Sequence, residues 1–499
     1  MLVATRPASP RLTLLAMCVA AFMIQLDVTI VSVALPSIQR GLRLPPAGLA
    51  WVISGYALSL AALIPVSGAL GDRFGRRRVF LAGVTAFAAG SAACALAPDE
   101  LALVGCRIVQ GAGGAAMLAL TLSIITDTFP AGRRAGAIGT WAAIGGTGFG
   151  VGPAVGGILL SFSGWAWVFW VNLPFAAITV ALTLVAVRPD GRPGRRPLDF
   201  PGAAASAVGL FAVTLGLTES AAHAWGSPPV VAPLTAGAAA LAAFAGWERR
   251  CPHPMIAPAL LRAPSFVSAC AVYLAGYTAF SGVLFYVTLL YQDVDGWSPL
   301  RTGLSWLLMN APFLVAAQLA GRLDRRFPAR GVVAAGCVTG AAGVLALSLA
   351  GSATTFAVTA VGYLLCGAGF GLLVPGVTHA AMRDVAPAMS GAASSVVNAS
   401  RQVGTSVGLA VLGTVGVTAT VTRWSAASRR FPPTVATAAS AQAQNVAGGR
   451  VSAVVAALGR QYRAPAVQSF AYGYHLALVV GAACLLAAAL IALVGFPRR

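Results

Sequence analysis

The sequence predicts an all-α polytopic membrane protein of fourteen transmembrane helices. Three observations carry that expectation. Hydrophobic residues make up 58% of the 499-residue chain and charged residues only 9%, too few to cover a soluble fold of this size. Apolar stretches of roughly 20–25 residues recur from end to end, the length that crosses about 30 Å of hydrocarbon. Arginine clusters at 73–78, 188–196, 249–262 and 322–330 fall in connections on one side of such a chain, as expected of cytoplasmic loops.

All 33 basic residues are arginine. The net charge of +20 therefore reads as the codon usage of a GC-rich genome rather than a nucleic-acid surface. Without lysine the chain can carry neither a Gly-x-x-x-x-Gly-Lys-Ser/Thr phosphate loop nor a Schiff-base lysine. The 8 cysteines are scattered without a Cys-x-x-Cys pair and the 4 histidines are dispersed, so no metal or redox cofactor is expected.

Span 1 (12–35) is too long for a cleaved signal peptide and carries Asp27 in its middle. An ionisable group inside a membrane helix costs about 2.5–3.5 kcal/mol by insertion scales and is functional by default. Gln25, Thr29 and Ser32 share one helical face, and Asp27 points about 160° away from it. One face lines a cavity and the other packs inside; the sequence leaves the choice open. Span 2 (49–70) runs into Gly68-Ala69-Leu70-Gly71-Asp72-Arg73-Phe74-Gly75-Arg76-Arg77. Here glycines let helix ends approach, and Asp72 is an anion able to cap a helix N-terminus or pair with arginine.

Span 3 (79–97) is followed by span 4 (101–126), in which Arg107, Gln110, Gly111 and Gly114 fall on one face. At 1.5 Å per residue, Arg107 lies about 9 Å from the outer end of its span and Asp27 about 12 Å from that of span 1. The depths match for coupling. Asp127 follows span 4. Span 5 (135–160) holds Gly148, Gly152, Pro153, Gly156 and Gly157, small residues four apart that let helices touch, with a proline that bends the span. Span 6 (166–187) includes Trp167, Phe169, Asn172 and Pro174.

Spans 7 and 8 fall at 199–219 and 229–247, and spans 9–12 near 265–291, 299–320, 331–350 and 353–377. Span 13 (389–415) carries Asn398, Arg401, Gln402, Gly404 and Gly408; the alanine- and arginine-rich outer segment 416–468 precedes span 14 (472–495). Arg401 lies roughly 18 Å along its span, a deep charge with no acidic partner evident in the sequence. The outer segment is expected either to form a short helix over a cavity mouth or to lie on the lipid surface.

The 68–77 motif recurs, decayed, as Gly321-Arg322-Leu323-Asp324-Arg325-Arg326-Phe327-Pro328-Ala329-Arg330. If spans 1–6 repeat as 9–14, spans 7 and 8 are an inserted hairpin. Two six-span halves with a central site are expected of alternating-access transporters. The divisions are 1–190 for the first half, 191–262 for the hairpin and its inner loops, and 263–499 for the second half. Placing both termini in the cytoplasm leaves 22 arginines on inner segments and three in short outer loops.

These motifs, in this order, resemble the major facilitator superfamily in its fourteen-span drug:proton antiporter branch, which includes actinobacterial antibiotic-resistance exporters. The resemblance implies a major facilitator fold in the inner (plasma) membrane, working on protons and a small-molecule substrate. Proton-motive force takes the place of a cofactor, and a monomer is expected. It also implies that Asp72 docks near the start of span 13 to hold the outward-open state, with Arg76 paired to Asp127; Gly68, Arg73 and Gly75 belong to the same cytoplasmic gate. Arg107 matches an arginine implicated in proton transfer across that family, and 148–157 matches the antiporter motif; Asp27, the mid-span acid tuned by Arg107, is the candidate proton carrier. Ser32 stands where asparagine is usual and Ala166 where arginine is usual.

Gln25, Thr29, Ser32, Asn398, Arg401 and Gln402 are the candidate substrate cavity. With Arg107 and Arg401 buried against a single mid-membrane acid, neutral, zwitterionic or acidic amphipathic substrates are favoured over polyvalent cations. A metabolite importer on the same fold is the nearest alternative. Others are a membrane acyltransferase, suggested by the His379-x-x-x-x-Asp384 spacing, and a non-transporting membrane regulator.

Overall fold

The computed structural model describes residues 9–42, 46–189, 199–220, 223–252, 254, 256, 260, 262–323, 326–350, 356–383, 385 and 389–496. Fourteen long helices run through them. They are α1 (Pro10–Leu42), α2 (Pro46–Phe74), α3 (Arg76–Ala95), α4 (Glu100–Thr128), α5 (Ala131–Ser163), α6 (Asn172–Ala186) and α7 (Phe200–Glu219). The others are α8 (Pro228–Glu248), α9 (Pro264–Leu289), α10 (Pro299–Leu323), α11 (Ala329–Ser348), α12 (Phe356–Met382), α13 (Ser390–Ser428) and α14 (Arg463–Gly495). A short helix, Trp167–Trp170, leads into α6, and a π-helical turn, Leu290–Val294, prolongs α9.

Each of the fourteen apolar segments lies on one of these helices. Among the described residues, 13 helices are long and apolar enough to cross a membrane; the remaining one, α5, is 33 residues long. Local chemistry sets several boundaries. Asp99 caps α4 by accepting from Ala102 N at 2.8 Å, and Asp199 caps α7 through Gly202 N at 2.9 Å. Gly75 has φ 103°, a conformation that side chains rarely adopt, so α2 and α3 meet across this one residue.

The helices pack twice in the same pattern. α1 lies along α5 and α6, α2 along α4, and α3 along α4 and α6; likewise α9 lies along α13 and α14, α10 along α12, and α11 along α12 and α14. The halves meet where α5 packs on α10 and α2 on α13. These two contacts are counterparts under the repeat. The α7–α8 hairpin rests on α2 and α13, and Trp225 Nε1 donates to Thr414 Oγ1 at 2.7 Å.

Two boundaries differ most from expectation. α13 continues to Ser428 and α14 starts at Arg463, because alanine-rich sequence keeps the helix going beyond the apolar core. Between them the helices Pro433–Ala441, Ala443–Ala447 and Val451–Leu458 fold down into a cap with its own small core of Trp424, Ala439, Val446, Val454 and Ala466. The cap packs on the π-helical turn of α9. At that junction burial pushes the Asp295 carboxyl above its usual range, against the nearby Arg463 and Arg301. Asp324, Arg325 and Asp384 lie outside the described residues, as does the side chain of Pro153.

Candidate functional site

Inside the first half, five helices converge on Asp27. Its side chain is 0% exposed and that of Arg107 2%. Arg107 Nη1 donates to Asp27 Oδ2 at 2.7 Å and to Gln110 Oε1 at 2.8 Å, while its Nε donates to the Val52 carbonyl at 3.2 Å. Gln110 Nε2 and Asn172 Nδ2 each donate to Asp27 Oδ1 at 2.8 Å. The Asn172 amide also reaches Ser91 Oγ at 3.0 Å. The Arg107 guanidinium lies 4.3 Å from the Tyr56 ring centroid and 5.9 Å from that of Phe169.

Taking two charges out of water costs several kcal/mol per ion, and attraction offsets this only where the remaining polar atoms find partners. Here α4 supplies both Arg107 and Gln110 because i and i+3 share a face. α6 supplies Asn172, α3 supplies Ser91 and α2 the Val52 carbonyl. Gly111 makes room: a Cβ there would collide with Ser59 Oγ and the Tyr56 carbonyl of α2.

The two faces of α1 divide as follows. Asp27 points into the first half, and Gln25 points into a central cavity between the halves. Thr29, expected beside Gln25, is instead packed on α5, where a Cβ on Gly152 would strike its Oγ1. Ser32 returns its hydroxyl to the Val28 carbonyl at 2.9 Å. The α5 motif is a row of close approaches to α1: Gly148 abuts Phe22 and Leu26, Gly152 abuts Thr29 and Gly156 abuts Ile30. Gly157 faces open space, with nothing within 4 Å of an added Cβ.

The central cavity encloses about 920 Å³, its open mouth included, between α1, α4 and α5 on one side and α9, α10, α12 and α13 on the other. Its wall is mostly apolar and includes six aromatic residues, Trp141, Tyr277, Phe280, Trp306, Phe313 and Phe370; Gln25, Asn310 and Arg401 are its polar or charged members. Of the span 13 candidates only Arg401 is part of this wall. Asn398 is fully buried, its amide donating to the Leu118 and Ser394 carbonyls at 3.2 and 3.0 Å, and Gln402 does not line the cavity. The aromatic wall and Asn310 were missed by sequence reasoning, because one polar residue among apolar ones has no periodicity to mark it. Asn172 was noted for its place in the span 6 pattern, with no signal linking it to Asp27.

At one end the halves are latched. Asp72 Oδ1 accepts from Gly391 N at 3.2 Å and Oδ2 from Ala392 N at 2.9 Å, at the first turn of α13, where the helix dipole favours an anion. Arg76 donates to Asp72 Oδ1 through Nε at 3.2 Å and Nη2 at 2.9 Å, and its Nη1 pairs with Asp127. A Cβ on Gly68 would strike the Gly391 carbonyl and Ser395. Arg73 stacks its guanidinium 5.2 Å from the Phe74 centroid. Nearby, Ser394 Oγ donates to the Ala119 carbonyl at 2.7 Å, and Gln318 Nε2 reaches Thr140 Oγ1 at 2.5 Å between α10 and α5.

Twin helical bundles around a cavity, one of them burying an ion pair, define a multi-pass membrane transporter. Residues 17–409 match the Major Facilitator Superfamily. The chain is 37% identical over 405 residues to "Multidrug resistance protein Stp" of Mycobacterium tuberculosis (strain CDC 1551 / Oshkosh), covering 81% of this chain and 75% of that protein. It is 34% identical over 418 residues to the "Tetracenomycin C resistance and export protein" of Streptomyces glaucescens, covering 82% of this chain and 78% of that one. In fold it is similar to the human organic anion transporter MFSD10 (TETRAN), with a TM-score of 0.63, 15% identity, and coverage of 98% of this chain and 100% of that one. This chain belongs to the Major Facilitator Superfamily.

Proposed function

We propose that this chain is a proton-coupled exporter of amphipathic small molecules, antibiotics among them. The observation that carries the reading is Asp27, a mid-span carboxylate whose oxygens accept from Arg107, Gln110 and Asn172. A proton arriving on Oδ1, which already accepts from Gln110 and Asn172, displaces one of them, and a proton on Oδ2 removes the charge that holds Arg107. Proton uptake therefore loosens the joint between α1, α4 and α6, which is a mechanical signal and not only a change of charge. Asp27 acts as the proton carrier and Arg107 as its fixed counter-ion.

Asp72, Arg76 and Asp127 form the gate, on the side we assign to the cytoplasm together with both termini. Closure of the halves there supports the outward-facing form. The relatives named for drug resistance and antibiotic export support outward transport, as does the α5 glycine row. The working unit is a monomer in the plasma membrane, 1–190 and 263–499 are its two moving halves, and no cofactor takes part.

Drug susceptibility of a pump-deficient bacterial host, across antibiotics and dyes, tests this reading. Wild type is expected to confer resistance that Asp27→Asn abolishes at equal expression. Resistance untouched by that substitution would overturn the proton-carrier role, and uptake of substrate into whole cells would reverse the direction.

A further inference from the structure

The cavity holds one charged side chain among its described lining residues, Arg401. No carboxylate among the described residues pairs with it. What it has is one long bond from Nη1 to Asn398 Oδ1 at 3.3 Å and three aromatic rings, with centroids at 4.7 Å for Tyr277, 5.5 Å for Trp141 and 5.9 Å for Tyr273. Its Nε is buried without a hydrogen-bond partner. Buried donors in native proteins are almost always satisfied, and an exception calls for an explanation. The rings stabilise the cation through their own faces. A carboxylate binds a guanidinium with two parallel bonds, and the hydrogen bonding of this one is limited to the long contact with Asn398.

The contrast with Arg107 sharpens the point. That arginine, fully buried where Arg401 is half-buried, is matched by Asp27, and the pair is neutral. Around the cavity no carboxylate among the described residues offsets Arg401, and apart from Gln25 and Asn310 the rest of the wall is aromatic or aliphatic.

The geometry points to a substrate with a carboxylate or similar anionic group on an aromatic or otherwise apolar body. The anion meets the guanidinium of Arg401 from the cavity side, and the body lies against Phe280, Trp306, Phe313 and Phe370. As a substrate class this rests on the exporter reading; as a binding site it stands apart from it.

Equilibrium binding to the purified full chain in nanodiscs separates the two. The probes are 1-naphthoate, neutral 1-naphthalenemethanol and cationic 1-naphthylmethylammonium, read by quenching of tryptophan fluorescence against empty nanodiscs, with Trp141 and Trp306 in the cavity wall as reporters. Wild type is expected to bind the acid about tenfold or more tighter than the alcohol, and the ammonium most weakly. Arg401→Gln is expected to bind the alcohol as wild type does and to lose the preference for the acid; Arg401→Lys keeps part of it. Equal affinity for acid and alcohol, no binding of either, or a preference that persists in Arg401→Gln would overturn the inference. If Arg401→Gln fails to bind even the alcohol, the wild-type order of the three probes decides. Naphthoate bound through Arg401 by a chain that extrudes nothing would leave this site standing and remove the exporter reading. Extrusion of cationic dyes by a chain indifferent to the acid would do the reverse.

Discussion

The two halves of this transporter are built alike and charged differently. In the first, α1 lies on α5 across Gly148, Gly152 and Gly156; in the second, α9 lies on α13 across Gly404, Gly408 and Gly416. The first half then buries an ion pair. The second buries tyrosines instead, with Tyr273 donating to the Val374 carbonyl, Tyr474 to the Leu347 carbonyl and Tyr286 to the Leu412 carbonyl at 2.6, 2.6 and 3.2 Å. Backbone proximity repeats because the same crossing needs the same small residues. Charge does not repeat, since nothing in the packing requires it. The halves share a frame, and on the reading proposed above they divide the chemistry, with proton traffic in one and recognition at Arg401 between them.

The sharpest way to break that comparison is to remove one arginine from each half. Arg107→Met leaves Asp27 buried and unpaired and is expected to cost about 3–5 kcal/mol of stability. Arg401→Met strands no ion and should cost roughly 1 kcal/mol or less. Thermal unfolding in detergent measures both. Pairing Arg107→Met with Asp27→Asn should recover much of the loss without restoring transport. Equal destabilisation by the two single substitutions would mean that Arg401 is structural after all.

Next come the glycine rows. Gly152→Val and Gly404→Val each drive a side chain into a facing helix, Thr29 in one case and Leu274 in the other. Each is expected to cost about 1–3 kcal/mol, and similar losses in the same unfolding assay would confirm that the rows are counterparts. Gly157→Ala, which meets nothing within 4 Å, should leave stability unchanged.

The smallest effect is expected at the latch. Asp72→Asn weakens the anion at the α13 N-terminus, a contribution of about 0.3–2 kcal/mol, and should move the balance of conformations two- to thirtyfold, in approximate terms. Spin-label distances across the two ends would register the change; an unaltered distribution would show that Asp72 does not hold this state.

Much of the frame was legible in the sequence, because a membrane span declares itself by length; the pairing of Asp72 with α13 and of Arg76 with Asp127 was implied only by the family resemblance. Asp27 and Arg107 could be matched by depth alone, and the structure places them 2.7 Å apart. The cap was less legible, since alanine continues a helix as readily above the membrane as inside it. The cavity wall was least so. Whether Thr29 faces a cavity or a neighbouring helix depends on α5, and aromatic residues in a span look the same facing lipid, core or substrate.

Arg401 has a further, electrical consequence. In alternating access the cavity takes the potential of whichever side it opens to, so a fixed charge in its wall experiences the voltage without travelling. A full unit charge is worth about 2.3 kcal/mol per 100 mV. An interior-negative membrane therefore draws the empty carrier toward its inward-open form by up to roughly fiftyfold per 100 mV, while a bound monoanion cancels the pull. Voltage, in this arrangement, resets the unloaded protein and leaves the loaded one alone.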